Sequence, residues 1–169
     1  MRKPNFKNNK GFTLIELLIF MGIFSILIVT LFQMFSAIFD VQLESQSTSA
    51  VASDGRYIAN KLTSDIKNAI SVTAPLVGSS SASLVMSDGT TTYTYALSNG
   101  NLNLTNSTLN ATDQINSTNT TVTSLNFLRL ADTKSQNRNT ITATVTLKSK
   151  TVKRSGVVTE TFKFTAGTR

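Results

Sequence analysis

The chain of 169 residues contains no cysteine and no histidine. Without cysteine there is no disulfide framework and no thiolate nucleophile, and without histidine the commonest catalytic base and metal ligand is missing. The nine acidic residues are scattered, no glycine-rich phosphate loop follows a predicted strand, and no ligand spacing suits a metal. We therefore predict that the protein is not an enzyme and that it holds no cofactor and no metal.

Charge is also missing from residues 17–39, a run of 23 residues rich in Leu, Ile and Phe. As a helix this run would be about 35 Å long, slightly more than the roughly 30 Å hydrocarbon core of a bilayer. Residues 1–11 precede it with four Lys or Arg and no acid, a pattern that keeps this end cytoplasmic and sends the rest across the membrane. We predict one membrane-spanning helix and an extracytoplasmic domain behind it.

A basic segment before an apolar run is also typical of a cleaved secretory signal. That signal needs a shorter apolar region and a cleavage site of small residues, whereas this run ends in Phe39-Asp40-Val41. An uncleaved membrane anchor remains an alternative. Neither reading explains Glu16, the one charge inside the apolar block. A carboxylate in hydrocarbon costs about 2 kcal/mol or more unless a partner neutralises it.

The string KGFTLIELL at residues 10–18 resembles the class III signal of type IV prepilins and type II secretion pseudopilins. The resemblance implies that prepilin peptidase cuts between Gly11 and Phe12 and methylates the new amine of Phe12. It also places Glu16 at the acidic position that such proteins use in assembly. The implied partners are the peptidase, the inner membrane and other pilins or pseudopilins, which pack through the N-terminal helix.

A physical role for Glu16 follows if the chain is cut after Gly11. The cut leaves an ammonium group on Phe12, and in a bundle of such helices the carboxylate of one subunit can neutralise the amine of the next. An axial shift would leave both charges unpaired in a medium of low dielectric constant. We therefore predict that Glu16 sets the stagger between subunits.

The helix is predicted to continue to about Ser71, since no proline occurs between Pro4 and Pro75. Helical spacing places six apolar residues on one stripe that should pack on the following domain. They are Val51, Ile58, Leu62, Ile66, Ala69 and Ile70. The segment Leu62-Thr63-Ser64-Asp65-Ile66 is also similar to a helix segment of minor pilins and of the J-type minor pseudopilins.

After Pro75 the apolar pattern changes to the alternation of β-strands. Residues 82–86, 91–97 and 101–105 predict a meander of three strands, joined by tight turns at Asp88-Gly89 and Asn99-Gly100. Residues 122–130, 140–148 and 157–165 predict three more strands, the last two forming a hairpin. The expected fold is α+β and pilin-like. A leader (1–11), an assembly helix (12–39) and its amphipathic continuation (40–71) precede an antiparallel β-sheet domain (72–169).

Between residues 98 and 126, 19 of 29 residues are Ser, Thr or Asn, and residues 106–121 are predicted to form a surface loop. Five Asn-x-Ser/Thr sequons fall in this region and are either glycan acceptors or a consequence of the composition. They begin at Asn103, Asn106, Asn110, Asn116 and Asn119.

A basic cluster follows the fifth predicted strand and consists of Lys148, Lys150, Lys153 and Arg154. It could contact an anionic polymer such as DNA, or lipid headgroups, or it could be a solvated hairpin tip. The sequence thus favours a minor pilin-like structural subunit of a type IV pilus or type II secretion pseudopilus. The alternative is a filament-borne or membrane-anchored binding module for DNA uptake or surface adhesion.

Overall fold

A computed structural model describes residues 11–130 and 139–168, so the predicted leader lies outside the described residues except for Gly11. Within the described part, one helix is followed by nine strands. The helix α1 spans Leu14–Asn68. The strands are β1 (Ser71–Ala74), β2 (Ser80–Ser81), β3 (Ser83–Ser87), β4 (Thr92–Ser98), β5 (Asn101–Asn106), β6 (Ala111–Gln114), β7 (Thr120–Leu130), β8 (Thr140–Ser149) and β9 (Thr159–Gly167).

The chain divides into two compact units, one up to Val41 and the other from Gln42 onward. The first unit contains the apolar part of α1. The second contains the rest of α1 and all nine strands.

The part of α1 that belongs to the second unit buries one of its faces. Its buried residues are Ser47, Val51, Gly55, Ile58, Leu62 and Ile66, and steps of three and four residues keep them on one side of a helix. This confirms most of the predicted stripe. The prediction for Ile70 was wrong: α1 ends at Asn68, so helical spacing no longer applies, and Ile70 is 67% exposed.

The strands form two antiparallel sheets. One has the order β1-β3-β4-β5-β6, and the other has the order β2-β7-β8-β9. The predicted meander is present as β3-β4-β5, and the predicted C-terminal hairpin as β8-β9. Both predicted tight turns are present, with positive φ at Gly89, Asn99 and Gly100. A single sheet was expected, and the structure has two: β6 pairs with β5 at the edge of the first sheet, and β7 pairs with β8 in the second.

The prediction of a surface loop at residues 106–121 was wrong in its second half. Residues 107–110 do form a turn, but β6 follows it, and Asn116 is only 3% exposed. The Asn116 Oδ1 atom accepts from the Leu102 backbone N–H at 2.8 Å, and its Nδ2 donates to the Thr120 carbonyl at 3.1 Å. A polar side chain can be buried when its hydrogen bonds are satisfied, which composition does not reveal.

The core of the second unit is shared by α1 and both sheets. Arg129 on β7 also joins the two sheets. Its Nη1 donates to the carbonyl oxygens of Val72 at 2.7 Å and Pro75 at 3.2 Å, while its Nε and Nη2 donate to Asn139 Oδ1. One guanidinium therefore connects the end of β1 to the β7-β8 pair, an arrangement suited to the planar donor geometry of arginine.

Candidate functional site

The helix begins with a hydrogen-bonded cap at Thr13. The Glu16 backbone N–H donates to Thr13 Oγ1 at 3.4 Å, and the Leu17 N–H donates to the Thr13 carbonyl at 3.2 Å. Thr13 and Glu16 have the spacing of a capping box, in which Ser or Thr at the N-cap is followed three residues later by Glu or Gln. The sequence interpretation missed this role, although the T-x-x-E pattern was visible.

Glu16 therefore lies in the first turn of α1. A carboxylate there is favoured by the partial positive charge at a helix N-terminus. Gly11 is exposed, and a Cβ atom added to it would have nothing within 4 Å. Phe12 is 84% exposed. In the described part of the chain, the Gly11–Phe12 bond lies open to another protein.

The apolar part of α1 exposes all its large side chains. From Phe12 to Leu43, every Leu, Ile, Val, Met and Phe is exposed. A contiguous apolar surface of this extent needs a bilayer or partner helices to cover it, and the helix is long and apolar enough to cross a membrane. Among the described residues of the unit that ends at Val41, no other element packs against the apolar part of α1.

Two hydroxyl groups in the apolar run bond to the helix itself. Ser25 Oγ donates to the Gly22 carbonyl and Thr30 Oγ1 donates to the Leu27 carbonyl, each at 2.8 Å. Because hydrocarbon offers no hydrogen-bond partner, a polar group there has to be satisfied within the protein. These two side chains therefore suit a helix in lipid, and Glu16 remains the only ionisable side chain between residues 12 and 39.

The basic cluster is not a uniform patch. Lys153 forms an ion pair with Glu44 of α1, with 2.6 Å between Nζ and Oε1, and the Lys153 side chain is only 16% exposed. Lys148 and Lys150 are exposed and line one open groove with Val152 and Val157. Lys148 and Lys150 therefore lie close together, whereas Lys153 is bound to α1. Arg154 is exposed and has an interaction of its own.

Two carboxylates of α1 bind the strand region. Asp54 Oδ2 accepts from the Ser117 backbone N–H at 2.9 Å and from Ser117 Oγ at 2.8 Å, and it also accepts from Thr120 Oγ1. On the same helix, Asp65 pairs with Lys61 at 3.0 Å. The Asp54 hydrogen bonds hold α1 against its own domain, whereas the Lys61–Asp65 pair lies within the helix.

Asp65 also accepts a hydrogen bond from the Tyr95 hydroxyl. Burial raises the pKa of Tyr95 above its ordinary value, and the hydrogen bond to Asp65 raises it further. Asp65 lies in the helix segment that resembles minor pilins, and its flanking Leu62 and Ile66 are buried. That segment therefore has a packing role in this chain. Among the described residues, no cluster of three potential ligands could hold a metal ion.

Comparison with known families gives one match. Residues 6–32 match the prokaryotic N-terminal methylation motif. No curated protein and no solved structure matches the chain. The matched residues include the Gly11–Phe12 bond, the Thr13–Glu16 cap and more than half of the apolar run, and the fold behind them is a long helix packed with antiparallel sheets. The chain thus carries the prepilin signal of type IV pilins and type II secretion pseudopilins at the head of a pilin-like α+β fold.

Proposed function

We propose that the protein is a minor pilin-like structural subunit. Prepilin peptidase cuts it between Gly11 and Phe12 and methylates Phe12. The subunit is held in the inner membrane by α1, with its β domain on the extracytoplasmic side. It then joins a type IV pilus or a type II secretion pseudopilus by packing α1 against the helices of other subunits.

The observation that carries this proposal is the exposed apolar surface of α1 that begins within the methylation motif, directly after the Gly11–Phe12 bond. The part of α1 up to Leu43, whose large apolar side chains are all exposed, has to be covered on every side. Lipid can cover it before assembly, and the helices of neighbouring subunits can cover it afterwards, so one surface serves both states.

The position of Glu16 supports assembly over simple anchoring. A simple anchor could complete the helix cap with an uncharged Gln at this position, and a charge there is costly to hold in lipid. In a bundle, the same carboxylate can meet the Phe12 ammonium of a neighbouring subunit. The cap at Thr13 holds the Glu16 backbone in helical geometry close to the new N-terminus.

A minor role is supported by two features of the sequence. The chain has no cysteine, so it cannot close its C-terminal region by a disulfide as many major pilins do. The segment from Leu62 to Ile66 is similar to that of minor pilins and J-type minor pseudopilins.

Mass spectrometry of the mature N-terminus in the native host tests the proposal. We expect N-methylated Phe12, and we expect Gly11→Val to retain the leader in the membrane fraction. Gly22→Val is the matched control, because Gly22 also has open space around it but lies beyond the proposed cleavage site. An intact Met1 in the parent chain, or a cut near Phe39, would return the protein to an ordinary anchored or secreted protein.

A further inference from the structure

The last two residues of β8 and the connection to β9, residues 148–158, are called the β8-β9 loop here, and Lys153 of this loop contacts α1. Lys153 Nζ lies 2.6 Å from Glu44 Oε1, and both residues belong to the unit that begins at Gln42. The turn that carries Lys153 is closed by two hydrogen bonds between Lys153 and Gly156, at 2.9 and 3.3 Å. The connection is therefore a folded loop held against the helix at Glu44.

Chain connectivity limits how far Glu44 can lie from the membrane. Glu44 follows Phe39, the end of the apolar run, by five residues. Five residues span about 7.5 Å as a helix and at most about 18 Å when fully extended. The headgroup region adds roughly 5–7 Å beyond the hydrocarbon on each side. A loop bound to Glu44 is therefore close to the headgroups whenever the apolar run is in a bilayer.

The charge of this loop matches an anionic membrane surface. Residues 148–158 contain four Lys or Arg and no Asp or Glu. Lys153 is neutralised by Glu44, but Lys148 and Lys150 are exposed and face the same open groove. A lysine near anionic lipid contributes attraction that falls off within a Debye length, about 8 Å at physiological ionic strength.

The loop also exposes an apolar side chain between its lysines. Val152 is 69% exposed and lies in the groove with Lys150. Basic residues that flank an exposed apolar side chain are typical of segments that lie in the membrane interface. DNA would use the charges but would leave Val152 without a partner.

We propose that the β8-β9 loop rests on anionic lipid headgroups of the bilayer that holds α1, through Lys148, Lys150 and Val152. The inference rests on the membrane anchoring in the proposed function. The loop contact orients the β domain against the membrane before assembly, and it is released when the subunit leaves the bilayer. The ion pair between Lys153 and Glu44 positions the loop and does not itself touch lipid.

A single labelled cysteine tests this, because the chain has no other cysteine. Full-length chain carrying Val152→Cys is labelled with an environment-sensitive fluorophore and reconstituted into vesicles of phosphatidylcholine, with or without phosphatidylglycerol. The matched control is Leu109→Cys, at a position that is 72% exposed. It lies in the β5-β6 turn, where Thr108 bonds to Thr91 of the β3-β4 turn at 3.0 Å. Asp88 of that turn lines one pocket with Asn68, the last residue of α1, which is about 36 Å from Glu44 along the helix.

We expect a blue shift, and quenching by a headgroup-linked quencher, at position 152 only in vesicles that contain phosphatidylglycerol. Lys148→Gln and Lys150→Gln should each lower the ratio of bound to free loop about fivefold. Salt at 1 M should abolish the shift, since the Debye length is then about 3 Å. The probe at position 109 should remain in water under every condition.

Flotation of the chain with the vesicles separates this inference from the proposed function. A chain that floats, but whose probe at position 152 behaves like the one at position 109, overturns the loop contact and leaves the anchoring intact. A chain that does not float overturns both. If a short DNA duplex protects position 152 while phosphatidylglycerol does not, the cluster belongs to nucleic acid and the proposal fails.

Discussion

Gly55 of α1 lies directly beneath the ring of Phe162 on β9. A Cβ atom added to Gly55 would overlap three carbon atoms of that ring. Gly55 is buried, and Phe162 packs against the core as a half-buried side chain. The glycine is therefore a contact surface for the ring, which explains why a residue that weakens a helix interior is present in α1.

Gly55→Ala is expected to lower the free energy of unfolding. Overpacking costs about 1–3 kcal/mol, which exceeds the gain of about 1 kcal/mol in helix propensity. In a Phe162→Leu background the overlap is relieved, so the same substitution should become neutral or stabilising. Urea unfolding is followed by circular dichroism in detergent for the parent chain, the two single variants and the double variant. The four free energies of unfolding give the coupling energy between positions 55 and 162. Equal effects of Gly55→Ala in both backgrounds would show that the Phe162 contact does not limit position 55.

Asp54→Ala is expected to destabilise the β domain by about 2 kcal/mol, because three hydrogen bonds to a charged acceptor are lost. The Thr120 hydroxyl, on a residue that is fully buried, would be left without its acceptor. Asp54→Asn keeps one acceptor oxygen and should cost less. Asp113→Ala, on the exposed face of β6, is the control and should be neutral. Thermal unfolding measures all three, and a neutral Asp54→Ala would mean that the segment at residues 116–120 is held without α1.

Glu16 has two candidate roles, one as a charge and one as part of the helix cap. Glu16→Gln keeps the capping-box side chain and removes the charge, whereas Glu16→Leu removes both. If the charge pairs with Phe12 of a neighbouring subunit, both variants should insert in the membrane normally yet be recovered poorly in sheared filaments or in crosslinks with other pilins. Thr13→Ala, which loses only the cap and about 1 kcal/mol, should still assemble. Normal incorporation of Glu16→Gln would refute the charge pair.

We predict that Asp88, in the β3-β4 turn, makes the free energy of unfolding depend on pH in the acid range. Its Oδ1 accepts from the backbone N–H groups of Thr91 at 2.8 Å and Thr90 at 3.0 Å, and these bonds lower the pKa of Asp88 from 3.8 to about 2. A depressed carboxyl pKa contributes stability that is complete above the unfolded pKa and is lost as the pH falls through the folded value. The contribution should therefore disappear between about pH 4 and pH 2.

Carboxyl resonances followed by NMR across this range should give the low pKa of Asp88 directly. Asp88→Asn should remove this part of the acid dependence of the unfolding free energy and leave the rest. A midpoint near 4 for Asp88 would show that the turn hydrogen bonds are not formed in solution.

Several features were predictable from the sequence because they depend on neighbouring residues along the chain. The uncharged run at residues 17–39 and the motif at Gly11-Phe12 are local, and so are the turns at Asp88-Gly89 and Asn99-Gly100. Each needs only the hydropathy of a segment or the backbone freedom of one or two residues. The capping box at Thr13 and Glu16 was equally local and could have been predicted.

The tertiary structure decided features that join distant parts of the chain. Asn116 looked like part of a polar loop but is buried, because its amide reaches Leu102 and Thr120. Lys153 looked like one member of a basic cluster, but its partner Glu44 is 109 residues away. Gly55 looked like a weak point in a helix until Phe162 was placed above it. Hydrogen bonds, ion pairs and ring contacts of this kind form between groups that only the fold brings together, so no local pattern in the sequence encodes them.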